Sequence, residues 1–240
     1  MELIAKMFMA KAKKVFFNPS PLYNYDSIAQ GCVVKDEYGD EWTMSAIDRS
    51  IWRGFHRVNN NEDGPKKVYI QYFIENKVKI TDTLKKINSK DELNELSNYL
   101  YYELNDLLKE NIKDDKLVYN RVRVPIDLFL EHVVSMAIEL NDCRKKLIPF
   151  LFVPLDEHTI RNCFNEKQLI KDNLNIISRI GDIDLDKEYD RMQKILYNRA
   201  VRISKEYGQE YYRIYSELLW HNRYRNFGRN LFETNLLKNI

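Results

Sequence analysis

The sequence predicts a helix-rich α+β fold, in which a small N-terminal β-containing part precedes a mainly helical part with one or two inserted strands. Three observations support this class. A hairpin pattern with glycine in its turn lies at 33–44, apolar residues recur at helical spacing over 89–111, and the same spacing returns over 187–207. We expect a division into residues 1–80 and 81–240, and the two parts can equally form one continuous domain.

Composition narrows the class of protein. The 240 residues suffice for one large domain or two small ones, and their apolar content is ordinary for a globular chain. No P-loop, GxGxxG or GxSxG motif occurs, which disfavours the corresponding ATPase, dinucleotide-binding and hydrolase classes. No apolar run approaches the roughly 20 residues of a membrane span, so we expect no membrane partner.

Cysteine usage and the first residues bear on localisation. Cys32, Cys143 and Cys163 are widely spaced, odd in number and form no CxxC motif, which favours free thiols in a reducing compartment. Residues 1–14 lack the long apolar core and the small-residue cleavage site of a signal peptide, so we expect them to belong to the mature protein. These features predict a cytoplasmic protein.

The N-terminal part combines one clear hairpin with ambiguous segments. Apolar and β-branched residues on both sides of a glycine-containing turn make 33–44 a predicted β-hairpin. Residues 2–17 fit a strand or a short helix, and the two prolines of 16–25 indicate a loop. Residues 66–80 are rich in β-branched and aromatic side chains, so we expect one or two strands there.

Helical signals dominate the rest of the chain. Ser89 is an expected N-cap, because Glu92 follows three residues later as in a capping box and leucines then recur at helical spacing. The apolar runs at 117–124 and 147–155 predict two short strands. Between them, 125–142 predicts a central helix with a proline in its first turn and apolar residues around more than half of its surface.

The most regular pattern is a helix over 187–207 with two distinct faces. One arc, about 80° wide, carries apolar residues at 3.6-residue spacing and is expected to be buried. A second arc of similar width carries cations, with Asn198 among them, and we name it the basic row. The basic row consists of Lys187, Arg191, Lys194, Arg202 and Lys205. Gly208 is expected to interrupt or end this helix.

The C-terminal region as a whole is basic and rich in aromatic residues. From residue 187 onward the chain has 11 Lys and Arg against 6 Asp and Glu, whereas the preceding residues have 27 against 30. Rows of cations bind the phosphates of nucleic acids, and aromatic rings stack on unpaired bases. The further residues expected to contact nucleic acid are Arg213, Arg223, Tyr224, Arg225 and Arg229.

These features predict a nucleic-acid-binding protein, which can be a subunit of a larger complex. Neither DNA nor RNA is favoured over the other. One alternative is a protein-protein interaction module in which the basic row meets an acidic partner. A solvated charged face with core tyrosines beneath it explains the same pattern without any ligand.

A second alternative is a magnesium-dependent nuclease. Acidic residues, including Asp40, surround the hairpin turn, and Glu75-Asn76-Lys77 matches the Glu-x-Lys element found in many metal nucleases. In such sites carboxylates hold magnesium and the lysine steadies the attacking water. Asp40, Glu75 and Lys77 are the catalytic candidates, and a solvated hairpin turn is the simpler interpretation.

Acidic residues also recur at four-residue spacing in the predicted central helix. Asp127, Glu131 and Glu139 follow one face. We interpret this face as solvent-exposed and paired with nearby arginines such as Arg123. A divalent-metal site or an acid–base pair is the alternative interpretation.

Overall fold

A computed structural model describes residues 2–35, 39–48, 64–111, 117–156, 159–160, 163–164, 186–219 and 231. Within these residues, eight α-helices and several 3₁₀ segments share one hydrophobic core, and a two-stranded antiparallel sheet lies near the N-terminal end. The predicted helix-rich α+β class is therefore confirmed.

The first segment is a helix rather than a strand. Helix α1 spans Glu2–Phe17, and its buried residues recur at three- and four-residue spacing, as expected for one packed face. The predicted loop follows it, and helix α2 spans Tyr25–Gln30. The side-chain oxygen of Asn24 accepts a hydrogen bond of 2.7 Å from the backbone N–H of Ser27, which makes Asn24 the N-cap of α2.

The predicted hairpin is confirmed. Strands β1 (Cys32–Lys35) and β2 (Glu41–Met44) pair antiparallel, with Val34 opposite Trp42. Gly31 precedes the hairpin with φ +142°, and a Cβ atom there would lie 2.6 Å from Cγ2 of Thr43. Glycine is therefore required at this position both by the backbone conformation and by the close approach of β2.

The strands predicted over 66–80 are wrong, because this segment forms two helices. Helix α3 spans Pro65–Glu75 with proline at its first position, and helix α4 spans Lys77–Lys86. The buried residues of α3 are Tyr69, Tyr72 and Phe73, whose spacing places them on one helical face. Packing of that face against the core overrides the β-propensity of the individual residues.

Helix α5 spans Lys90–Asn111 and begins as predicted. The hydroxyl oxygen of Ser89 accepts a 3.2 Å hydrogen bond from the backbone N–H of Glu92. The carboxylate of Glu92 in turn accepts a 2.7 Å hydrogen bond from the backbone N–H of Asn88, one residue before the usual capping-box donor. The buried leucines of α5 are Leu93, Leu96, Leu100, Leu104 and Leu108.

Helix α6 spans Tyr119–Met136 and replaces both the strand predicted over 117–124 and the helix start predicted at Pro125. Every residue of α6 except Arg121 is buried, so its predicted central position is confirmed. Pro125 lies inside the helix, where a proline costs about 3 kcal/mol. Burial stabilises each large apolar side chain by about 1.5–3 kcal/mol, so a few of the buried residues of α6 offset that cost.

The segment after α6 also differs from the prediction. It consists of 3₁₀ turns at Ile138–Leu140 and Ile148–Phe150 around the short helix α7 (Arg144–Leu147). The strand predicted over 147–155 is therefore wrong. Residues 151–156 are buried and belong to no helix or strand, and no described strand pairs with them. A side chain of a neighbouring helix satisfies part of this backbone instead.

That neighbouring helix is α8 (Asp186–Tyr207), which confirms the two-faced helix. Its buried residues include Tyr189, Met192, Leu196 and Ala200. Gly208 ends α8 with φ +64°, and a Cβ atom there would meet nothing within 4 Å. The left-handed backbone, rather than lack of space, therefore favours glycine at this helix end. A 3₁₀ segment follows at Arg213–Leu219.

The hydrophobic core crosses the predicted domain boundary near residue 80. The rings of Phe73 and Phe129 lie on opposite sides of that boundary in sequence and stack with 3.7 Å between their centroids. The division into 1–80 and 81–240 stays a prediction. Of the helices described, none combines the length and the apolar character needed to cross a bilayer.

Candidate nucleic-acid interface

The basic row lies on the surface of α8. All five of its side chains are exposed, and they extend along about 27 Å of helix at 1.5 Å per residue. No acidic residue occurs in the sequence between Arg191 and Lys205. In the described part of the chain, no carboxylate lies within ion-pair distance of Lys194, Arg202 or Lys205. These three members of the row therefore present positive charge on the helix surface.

Polar contacts on the opposite face hold α8 in place. The side-chain amide of Gln193 bonds to both backbone groups of Val153, accepting from its N–H at 3.2 Å and donating to its carbonyl at 2.7 Å. The buried hydroxyl of Tyr189 donates to the carboxylate of Asp127 on α6. These contacts fix the orientation of the helix, and hence the direction in which the basic row faces.

Asp127 belongs to a buried polar network. Nε of Arg123 donates to Asp127 at 2.9 Å, and its Nη1 donates to the side-chain oxygen of Asn98 at 2.7 Å and to the hydroxyl of Tyr119 at 3.2 Å. Burial lowers the pKa of Arg123, but Asp127, Tyr189 and Tyr119 together more than offset this, so the pKa is raised and the guanidinium stays charged. Burial raises the pKa of Tyr189 well above its usual value.

The solvent-face interpretation of the acids on the central helix is therefore wrong for two of its members. Asp127 and Glu131 are both buried. Arg123 is the partner of Asp127, as expected from their four-residue spacing, but the pair lies in the core. Glu139 lies after α6, and its carboxylate accepts a 3.0 Å hydrogen bond from the backbone N–H of Tyr25. It therefore binds the start of α2.

Two adjoining clefts run along one side of the basic row. The larger, of about 590 Å³, includes Lys205 of the row in its wall. The smaller, of about 340 Å³, includes Lys194 and Asn198. Tyr197 lines both clefts and is 42 % exposed. The side chains that the two clefts share are Lys90, Tyr197 and Arg213.

Arg213 does not belong to the exposed cations, contrary to the sequence-based expectation. It is buried, and its guanidinium donates to the carbonyls of Leu151 at 2.7 Å and of Phe150 at 2.6 Å. It also lies 4.0 Å from the centroid of the Phe152 ring. Burial lowers the pKa of Arg213 to about 10. Arg213 therefore stabilises the backbone of the cleft wall, and it is not an exposed side chain available to a phosphate.

Asp190 adds a negative charge to the smaller cleft. Partial burial of its carboxyl group raises its pKa, the charge of Arg123 lowers it, and nearby Asp186 raises it, with a raised pKa as the net result. Asp190 lines the same cleft as Lys194 of the basic row. Its ionised form therefore opposes the binding of an anion at this end of the row.

Two of the nuclease candidates bind other side chains in the described residues. Glu75 accepts a 2.9 Å hydrogen bond from Gln71, one helical turn earlier on α3. Lys77 binds two other carboxylates, those of Asp26 at 2.7 Å and Glu139 at 3.2 Å. Within the described ranges, no group of three or more His, Cys, Asp or Glu side chains is placed to hold a metal ion. Asp40 lies at the hairpin and is exposed.

The structure thus brings the basic row together on one surface, whereas Arg223, Tyr224, Arg225 and Arg229 lie outside the described residues. Sequence reasoning missed the aromatic side chains beside the row, in particular Tyr197. The signal was present, because Tyr197 lies three residues after Lys194 and so faces the same side of the helix. Comparison with protein-family models, curated proteins and solved structures found no match to the chain.

Proposed function

We propose that the protein binds nucleic acid through the basic row of α8. The observation that carries the proposal is the exposure of five cations on one face of a helix whose opposite face is fixed to the core. The phosphates of a nucleic-acid backbone form a row of anions as long as the basic row. Cations that neutralise these phosphates release the counterions bound to the nucleic acid, which favours binding. We further propose a cytoplasmic location, supported by three free cysteines.

The length of the row suits a polyanion better than a single phosphate. Its cations span about 27 Å, over which one strand of a B-form duplex places about eight phosphates at 3.4 Å each. A small anion would need several cations to converge on one point, whereas these are spread along the length of one helix face. An extended backbone can contact all five in turn.

Charge reversal on the row tests the proposal. Lys194→Glu/Arg202→Glu should weaken binding of a mixed-sequence oligonucleotide by more than about tenfold at low salt, because two attractions become repulsions. The measurement is fluorescence anisotropy of a labelled strand. Lys35→Glu/Lys109→Glu is the matched control, since both lysines are exposed and the net charge changes equally. Equal losses in the two variants would show that only net charge matters, and the proposal would fail.

An acidic protein is the alternative partner for the same surface. Its binding would also depend on Lys194 and Arg202, so charge reversal alone does not separate the two partners. The species that accompanies the protein through purification without a high-salt wash does separate them. Bound nucleic acid increases the absorbance at the maximum of the bases relative to the absorbance at the maximum of the aromatic side chains. A bound protein instead appears as a second band on a denaturing gel. Either partner is compatible with a role as a subunit of a larger complex.

A further inference from the structure

The larger cleft beside the basic row has the size of a ligand site. Its volume of about 590 Å³ lies within the range of about 300–1,000 Å³ that small-molecule sites occupy. Helix α8 supplies part of its lining, and Phe150 after α7 and Lys90 at the start of α5 supply another part. A single nucleotide unit fits a cleft of this size.

Aromatic rings line this cleft. Tyr197 is 42 % exposed, and Phe150 and Tyr212 are half-buried, so each ring retains surface that a ligand can contact. Stacking between a base and an aromatic ring is a strong contact that tolerates any sequence, because every base has a π-face. The lining therefore matches the chemistry of an unpaired base.

The exposed ring lies next to the cations. Tyr197 and Lys194 are three residues apart on α8, which makes them neighbours on the helix surface. The ammonium group of Lys90 lies 5.3 Å from the centroid of the Tyr197 ring. A strand whose phosphates contact the basic row therefore places its bases within reach of Tyr197.

The smaller cleft continues the same surface and offers a hydrogen-bond acceptor. Asn94 lines it, and the buried side-chain oxygen of Asn94 has no hydrogen-bond partner within the described residues. A buried acceptor without a partner is costly unless a ligand supplies a donor. The amino groups on the edges of unpaired bases are such donors.

We infer that the two clefts hold unpaired bases of a single-stranded nucleic acid whose phosphates lie along the basic row. This inference rests on the proposed function, since the row must hold the strand. A duplex keeps its bases stacked and paired, so their faces cannot reach Tyr197, whereas a single strand leaves them accessible. The protein therefore selects single strands over duplexes by stacking rather than by charge.

The test compares strands of equal length with and without bases. Wild-type protein should bind a mixed-sequence single strand about tenfold more tightly than an abasic strand with the same number of phosphates. Tyr197→Ala should remove this preference, and Tyr197→Phe should retain it, because the ring is what stacks. Tyr102→Ala is the control, since Tyr102 is an exposed tyrosine of α5 that lines neither cleft. Circular dichroism checks that each variant is folded.

The outcomes separate this inference from the proposed function. If the wild type binds both strands equally, or if Tyr197→Ala keeps the preference, the clefts hold no base and the inference is overturned. The basic row survives that result if Lys194→Glu/Arg202→Glu still weakens binding of the abasic strand. If wild-type protein binds neither strand, the proposed function fails and the inference fails with it.

Discussion

Arg123 is among the largest side chains that the core of the described residues buries completely. Its charge is balanced by Asp127 at 2.9 Å, and Asp127 is in turn bound by Tyr189 from α8. A buried ion pair adds little net stability compared with an apolar pair of the same shape, but removing one partner leaves an unpaired charge in the core. The same pair also connects α6 to the helix that carries the basic row.

Replacement of Asp127 should therefore destabilise the fold strongly. Asp127→Asn keeps the shape of the side chain but leaves the charge of Arg123 uncompensated, and we expect a loss of about 3–5 kcal/mol in the free energy of unfolding. Urea denaturation measures this loss. Asp106→Asn is the control, because Asp106 forms an exposed ion pair with Lys109 at 3.5 Å that is worth about 1 kcal/mol or less. Comparable losses in the two variants would contradict the role assigned to the buried pair.

At the residue scale, spacing predicted partners better than it predicted burial. Residues four apart on a helix are neighbours, so the sequence indicates that Arg123 can bind Asp127. Whether that pair faces solvent depends on what packs over it. Tyr189 and Asn98 cover it, and they come from two other helices far away in sequence. No local pattern contains that information.

At the element scale, helices with clearly separated faces were predictable and dense apolar segments were not. Helix α8 has distinct apolar and basic arcs, and its range and burial follow from its period. Over 66–80, apolar and aromatic residues are so frequent that both the helical and the strand periods fit. Tertiary packing then decides, as it does for the segments at 117–124 and 147–155.

The charge of Asp190 makes binding along α8 depend on pH. Because the pKa of Asp190 is raised, the carboxylate takes up a proton at a higher pH than an ordinary aspartate. Protonation removes a negative charge from the cleft that Lys194 lines, so affinity for an oligonucleotide should increase as the pH falls through that raised pKa. Asp190→Asn should bind more tightly at neutral pH and lose this part of the pH dependence.

Anisotropy titrations across the acidic range measure this effect. Asp106→Asn is the matched control, because it removes an exposed carboxylate near the C-terminal end of α5. If the two variants have the same pH profile, the dependence arises from overall charge and not from Asp190.

At the scale of the whole molecule, the clefts could not be predicted because their walls come from separate parts of the chain. Tyr197 belongs to α8, Lys90 to the start of α5, and Phe150 to the turn after α7. Arg213 binds the carbonyls of Phe150 and Leu151 and so holds one wall in place. The sequence predicted the basic row because its cations all belong to one helix. The aromatic lining of the clefts was not predictable, because it depends on how four separate segments pack together.

Phosphates along the basic row are the central feature of the proposed complex, and the salt dependence of binding tests this most directly. The logarithm of the association constant should fall linearly with the logarithm of the salt concentration. Five phosphate contacts predict a slope of about −3.5 for a single strand. Lys194→Glu/Arg202→Glu should make the slope shallower by about 1.4. A slope near zero, or an equal slope for wild type and variant, would contradict the account.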